Sequence, residues 1–79
     1  MRLDKWLKVS RLIKRRTVAQ EACDGGRVSV NGVVAKPSRD VKVGDTIEVS
    51  FGTKTLRAEI LSVQETVRKD DAAAMYKEV

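Results

Sequence analysis

Leu3, Trp6 and Leu7 fall on one stripe when residues are placed every 100°, and Arg2, Lys5 and Lys8 fall on the other side. This spacing predicts a short helix from about Leu3 to Val9 or Arg11. Trp6 shares its stripe with two leucines, which makes it a core anchor rather than a platform for stacking bases. Past Ser10 the register shifts, Leu12 and Ile13 leave the stripe, and a turn is expected through Lys14–Arg16. Thr17-Val18-Ala19-Gln20 has the form of a capping box, in which the threonine hydroxyl accepts from the Gln20 amide while Gln20 reaches back. A second helix is expected from Val18 to about Asp24, with Val18, Ala19, Ala22 and Cys23 buried. Gly25-Gly26 would end it, because glycine takes the left-handed conformation of a C-cap without strain.

The period then changes from helical to alternating. Arg27–Val30 and Val33–Ala35 flank Asn31-Gly32, and a pair that accepts positive φ at both turn positions is the strongest short-range mark of a hairpin. Pro37-Ser38 ends the second arm. Lys42-Val43-Gly44-Asp45 reads as a turn into Thr46–Phe51, with Ile47, Val49 and Phe51 directed inward. Gly52-Thr53 turns the chain again into a longer strand, Leu56–Val63, with Leu56, Ala58, Ile60 and Ser62 on one face. Asp70–Tyr76 is built of helix formers, but the run is too short to hold a helix without docking. The expected fold is α+β: two short N-terminal helices packed on a small antiparallel β-sheet, with a short C-terminal helix.

Composition narrows the function. Seventy-nine residues are expected to form a single domain, 1–79, with no room for a separate catalytic module. Histidine is absent, which removes the usual general base at neutral pH and any plausible zinc site. The single cysteine, Cys23, cannot close an intramolecular disulfide and is expected to be a small core residue. No catalytic residue, metal or cofactor is therefore expected. No apolar run reaches the roughly 20 residues of a spanning helix, and charges interrupt the N-terminal stretch where a secretory signal would need an apolar core. The expected compartment is the cytoplasm. A basic amphipathic helix lying on a membrane is a competing class, opposed by the burial expected for the apolar stripe.

Charge carries the main functional signal. Residues 1–39 hold ten Lys/Arg and three Asp/Glu, a net +7, whereas residues 40–79 hold six and eight, a net −2. Arg2, Lys5, Lys8, Arg11, Lys14, Arg15 and Arg16 lie within sixteen residues that contain one carboxylate, Asp4, so pairing along the helix cannot neutralise them. A face of this kind suits a polyanion, and nucleic acid is the expected partner. Two readings of Asp4 stay open: it stabilises the first helical turn and pairs with Lys8, or it orients an arginine or meets a partner surface.

The order of landmarks resembles a known family. Arg2-Leu3-Asp4-Lys5, Arg15-Arg16-Thr17, Val30-Asn31-Gly32 and Val43-Gly44-Asp45 before a hydrophobic strand are similar to the RNA-binding domain named after ribosomal small-subunit protein four, with a core motif of about residues 2–49. Arg2–Leu7, Ala35-Lys36-Pro37-Ser38 and Ala72–Tyr76 are similar to its stand-alone bacterial subfamily, which contains the ribosome-associated heat-shock protein fifteen and RqcP. The resemblance implies binding to the large ribosomal subunit through rRNA and peptidyl-tRNA, in cooperation with a factor that extends the stalled chain with alanine. A general rRNA or tRNA chaperone is the alternative.

The family pattern carries Arg2, Lys5, Arg11, Lys14, Arg15 and Arg16 into the RNA face, and helical spacing adds Lys8. Thr17 could donate to phosphate or cap its helix, and Lys36 and Arg39 would extend the footprint at its edge. A free monomer is expected.

Overall fold

In a computed structural model that describes residues 1–79, helix α1 spans Leu3–Val9 and buries the predicted stripe completely at Leu3, Trp6 and Leu7. Its N-terminus has no side-chain cap. The first amides donate instead into a distant loop, Leu3 N–H to the Arg39 carbonyl at 2.8 Å and Asp4 N–H to the Pro37 carbonyl at 3.1 Å. These bonds satisfy donors that any helix start leaves open. The helix stops where Arg11 takes φ 63°, a left-handed conformation that diverts the chain. Ile13 then turns back into the core, its amide donating to the Leu7 carbonyl at 3.1 Å.

Helix α2 spans Arg16–Asp24, so it begins ahead of the expected Val18 and has no capping box. Arg15 occupies the cap position with extended backbone, and Thr17 lies exposed within the first turn. Gln20 does not reach back. It donates to the buried Asp4 carboxylate of α1 at 2.9 Å, a charge-assisted bond that a solvated amide cannot match. Ala19, Ala22 and Cys23 are buried as expected, whereas Val18 is 44% exposed at the rim of that face. The left-handed position after the helix falls to the second glycine, Gly26 at φ 75°.

Five antiparallel strands follow: β1 (Val28–Val30), β2 (Val33–Val34), β3 (Thr46–Phe51), β4 (Lys54–Ile60) and β5 (Tyr76–Glu78), in the order β2-β1-β3-β4-β5. Asn31 and Gly32 take φ 51° and 84°, as the hairpin reading requires. Side chains of Val28, Val30, Ile47, Val49 and Ile60 join those of the helices in one buried core, and Ala58 is fully buried as well. Phe51 belongs to that alternation but is 46% exposed, because it lines an open groove with Leu12, Val18 and Ala22 beside α2. Leu56 is only half-buried, and β4 starts earlier and ends earlier than the Leu56–Val63 reading.

The C-terminal helix is a 3₁₀ helix, Lys69–Met75, followed directly by β5. Strand β5, unforeseen in the sequence, pairs with β4 through Ile60–Tyr76 and its neighbours. The chain after β4 packs on α1 at two points. The Trp6 indole N–H donates to the Ser62 carbonyl at 3.0 Å, and its ring meets Tyr76 edge-on at 6.3 Å. No helix is long and apolar enough to cross a membrane.

Candidate nucleic-acid interface

The site is organised around Asp4, which has no solvent exposure although it lies in a basic segment. Its Oδ1 accepts from its neighbour's amide, Lys5 N–H, at 2.7 Å. Its Oδ2 accepts from Gln20 at 2.9 Å, from Arg2 Nη2 at 3.2 Å, and pairs with Arg16 Nε at 3.3 Å. The Arg2 Nε–H also donates to Oδ1, at 3.3 Å. Burial alone would raise this carboxyl, but the bonds from Gln20, Arg16 and the Lys5 amide outweigh it and hold the group below the ordinary carboxylate value. Asp4 therefore orients arginines and does not pair with Lys8.

Helix geometry explains why these groups meet. Arg2 and Asp4 flank the first turn of α1, and Arg16 and Gln20 are one turn apart on α2, so both pairs face the seam between the helices. The Arg2 and Arg16 side chains are 51% and 44% exposed. Each guanidinium carries five N–H donors and gives Asp4 only part of its fork, so donors remain on the solvent side of a fixed plane. The two cations and one anion leave a net positive centre with little freedom to lose on binding.

A second group forms where α1 meets α2. Lys8, Arg11 and Lys14 line a cavity of about 170 Å³, with Glu65, Thr66 and Val67 on its other wall. Lys8, Arg11, Lys14 and Arg15 make no ion pair. Lys5 pairs with Glu65, and that pairing lowers the Glu65 carboxyl.

The remaining expected residues spread outward. The loop that carries Lys36 and Arg39 is tied to the start of α1 by the Arg39 and Pro37 carbonyls and by the Arg2–Asp40 bridge. The N-terminal amine also pairs with Asp40 at 2.7 Å, which keeps that carboxyl low. Thr17 is exposed on α2 and makes no side-chain hydrogen bond in this network. Cys23 is buried, and burial together with Asp4 and Asp24 pushes its thiol up to about 11, so it stays protonated and inert near neutrality.

Gln20 and Glu65 were missed by sequence reading as members of this site. Gln20 carried a signal, since it recurs one turn after Arg16 on a face toward α1, but the capping box explained it more simply. Glu65 carried none, because its approach to Lys5 spans sixty residues. No cluster of acidic or thiol groups is arranged to hold a metal ion.

A basic helix pair on a small antiparallel sheet, its arginines ordered by a buried carboxylate, defines an RNA-binding domain of one class: residues 1–47 match the S4 domain, and the chain belongs to that family. Within it, the chain is 56% identical over 77 residues to the RQC P-site tRNA stabilizing factor of Streptococcus pneumoniae, covering 98% of this chain and 88% of that protein. The Bacillus subtilis protein of the same name is 55% identical over 76 residues, covering 96% of this chain and 88% of its own length. The trimeric structure of Vibrio cholerae heat shock protein 15 superposes with a TM-score of 0.93 at 35% identity, over 100% of this chain and 81% of that one. These matches agree with the stand-alone subfamily that the sequence resembled.

Proposed function

We propose that this chain is an RNA-binding factor of ribosome-associated quality control. It binds rRNA and peptidyl-tRNA on a stalled large ribosomal subunit and supports nascent-chain rescue or alanine tailing beside a tailing factor. It performs no catalysis of its own and works as a cytoplasmic protein. The observation that carries this reading is the match over nearly the whole chain, at 55–57% identity, to proteins named RQC P-site tRNA stabilizing factor.

The surface supports the chemistry such a role needs. Structured RNA offers phosphates and 2′-hydroxyls more readily than base edges, so a rigid cationic body is a suitable reader. Arg2 and Arg16 present oriented forks for phosphate oxygens, while Lys5, Lys8, Lys14, Arg11 and Arg15 supply further charge around them. Charge alone attracts any RNA. Selectivity follows if rRNA and tRNA phosphates held side by side engage separate parts of one rigid surface, because the second contact then forms at high effective concentration.

The test is titration against large subunits carrying peptidyl-tRNA, empty large subunits and intact ribosomes at one salt concentration. Tighter binding to the first is expected. Equal affinity for all three would reduce the protein to a general RNA binder.

A further inference from the structure

The corner between α1 and α2 differs in kind from the Asp4 cluster. Its cations Lys8, Arg11 and Lys14 surround a concavity of about 170 Å³ and have no carboxylate partner. Arg11 is held there at φ 63°, where glycine would be free of strain and an L side chain is not. Keeping a guanidinium at such a position puts a long cation over the cavity at a cost in backbone preference. The opposite wall is the irregular segment between β4 and the 3₁₀ helix, and its one carboxylate, Glu65, turns to Lys5 with 71% of its side chain exposed. An ion pair so open to solvent is weak and exchanges readily.

We propose that this cavity seats one backbone phosphate of a bound RNA, and that Glu65 is its built-in competitor, a tethered carboxylate that neutralises Lys5 until a phosphate displaces it. The inference rests on reading the basic face as an RNA surface, but on no particular RNA. The space accommodates several waters, and hence a phosphate group. Lys8, Arg11 and Lys14 donate to its oxygens, and the Thr66 hydroxyl offers one more donor from the facing wall. Release of Glu65 frees Lys5 for a neighbouring phosphate. RNA that uses this corner therefore binds more weakly than the cations alone would allow. The two parts of the face divide the work: Asp4 holds arginines in place permanently, and Glu65 holds a lysine only in the absence of ligand.

The full chain, titrated with inorganic phosphate at fixed low salt and followed by amide NMR, is expected to show saturable shifts at Lys8–Lys14 and Glu65–Val67. Glu65→Gln is expected to tighten phosphate binding roughly threefold, the scale of a lost exposed charge pair. Glu48→Gln removes the same charge from the Arg57 pair on the sheet, 2.8 Å across, and is expected to change the affinity far less. Arg11→Gly relieves the backbone and removes the guanidinium, so it should weaken phosphate binding without lowering Tm. Shifts spread evenly over all basic residues, equal gains from Glu65→Gln and Glu48→Gln, or unchanged affinity in Arg11→Gly would each overturn the proposal. No ribosome enters this titration, so it can fail while selective large-subunit binding stands, and the reverse.

Discussion

Two buried aspartates, each at a junction between elements, have opposite consequences. Asp45, 7% exposed, accepts from Asn31 Nδ2 at 3.2 Å and from Lys42 N–H at 3.1 Å, while Asn31 Oδ1 accepts from Thr46 N–H at 2.9 Å. Its partners are neutral, and together they clamp the β1–β2 turn to the entry of β3. Asp4 is more deeply buried, yet two of its partners are guanidinium groups with about half of each side chain in solvent. The carboxylate is the same in both places. What it holds decides whether the cluster ends inside the fold or projects charge to the surface.

The sharpest way to break this contrast is Arg16→Glu. It removes one oriented fork and sets a second carboxylate beside Asp4. Binding to RNA or large subunits should fall by about 100-fold or more, and the slope of log K against log salt should lose roughly 0.7–0.9 for each phosphate contact removed. Circular dichroism should still show a folded chain. Unchanged affinity in that folded variant would remove Arg16 from the interface.

The Asp45 side is broken through its turn. Gly32 is at φ 84°, and a β-branched side chain there is strained by about 1–3 kcal/mol. Gly32→Val should lower thermal stability by that amount while the folded fraction keeps its affinity for RNA. A variant as stable as wild type would mean that the turn tolerates its neighbour without strain.

The paired substitutions Asp4→Asn and Asp45→Asn compare the clusters directly. Each raises the net charge by one, so attraction at long range should strengthen slightly in both. Asp4→Asn is nevertheless expected to weaken binding about tenfold, because loss of the orienting charge frees Arg2 and Arg16, an effect of about 1.4 kcal/mol. Asp45→Asn should cost about 1–3 kcal/mol of stability and leave binding intact. Calorimetric titration with one RNA, beside denaturant unfolding, separates the two outcomes. Equal behaviour of the two variants would erase the distinction.

A smaller effect is expected in acid. The folded carboxyl of Asp4 lies below its ordinary value, so the unfolded chain takes up its proton first. Its stabilisation is complete above about pH 4 and is lost as pH falls through the lower folded value. The stability difference between wild type and Asp4→Asn should stay constant from pH 7 to about pH 4 and shrink below it.

Much of the fold was legible because local rules suffice for it. The Leu3-Trp6-Leu7 stripe, the Asn31-Gly32 turn and the alternation of Ile47 and Val49 each express a constraint within a few residues. Thr17-Val18-Ala19-Gln20 obeyed a local rule equally well, and there the rule failed: Gln20 had a better acceptor on α1, which no window along α2 contains. Phe51 kept its alternation but lost its burial, because the groove it shares with Val18 and Ala22 of α2 stays open to solvent. Strand β5 has no local signal for a related reason. Tyr76–Glu78 is a strand only because the edge of β4 is available to pair with it.

The sequence by itself determined the α+β order, the burial of Trp6 and the concentration of uncompensated charge in the first sixteen residues, since periodicity and charge are counted along the chain. It also displayed the landmarks of the S4 domain. Tertiary structure decided how that charge is organised. Whether Asp4 paired with Lys8 or oriented arginines depended on the approach of α2, and whether Lys5 stood free depended on Glu65 arriving from sixty residues away. Hydrogen bonds and ion pairs act over a few ångströms in space, and a distance along the chain does not measure them.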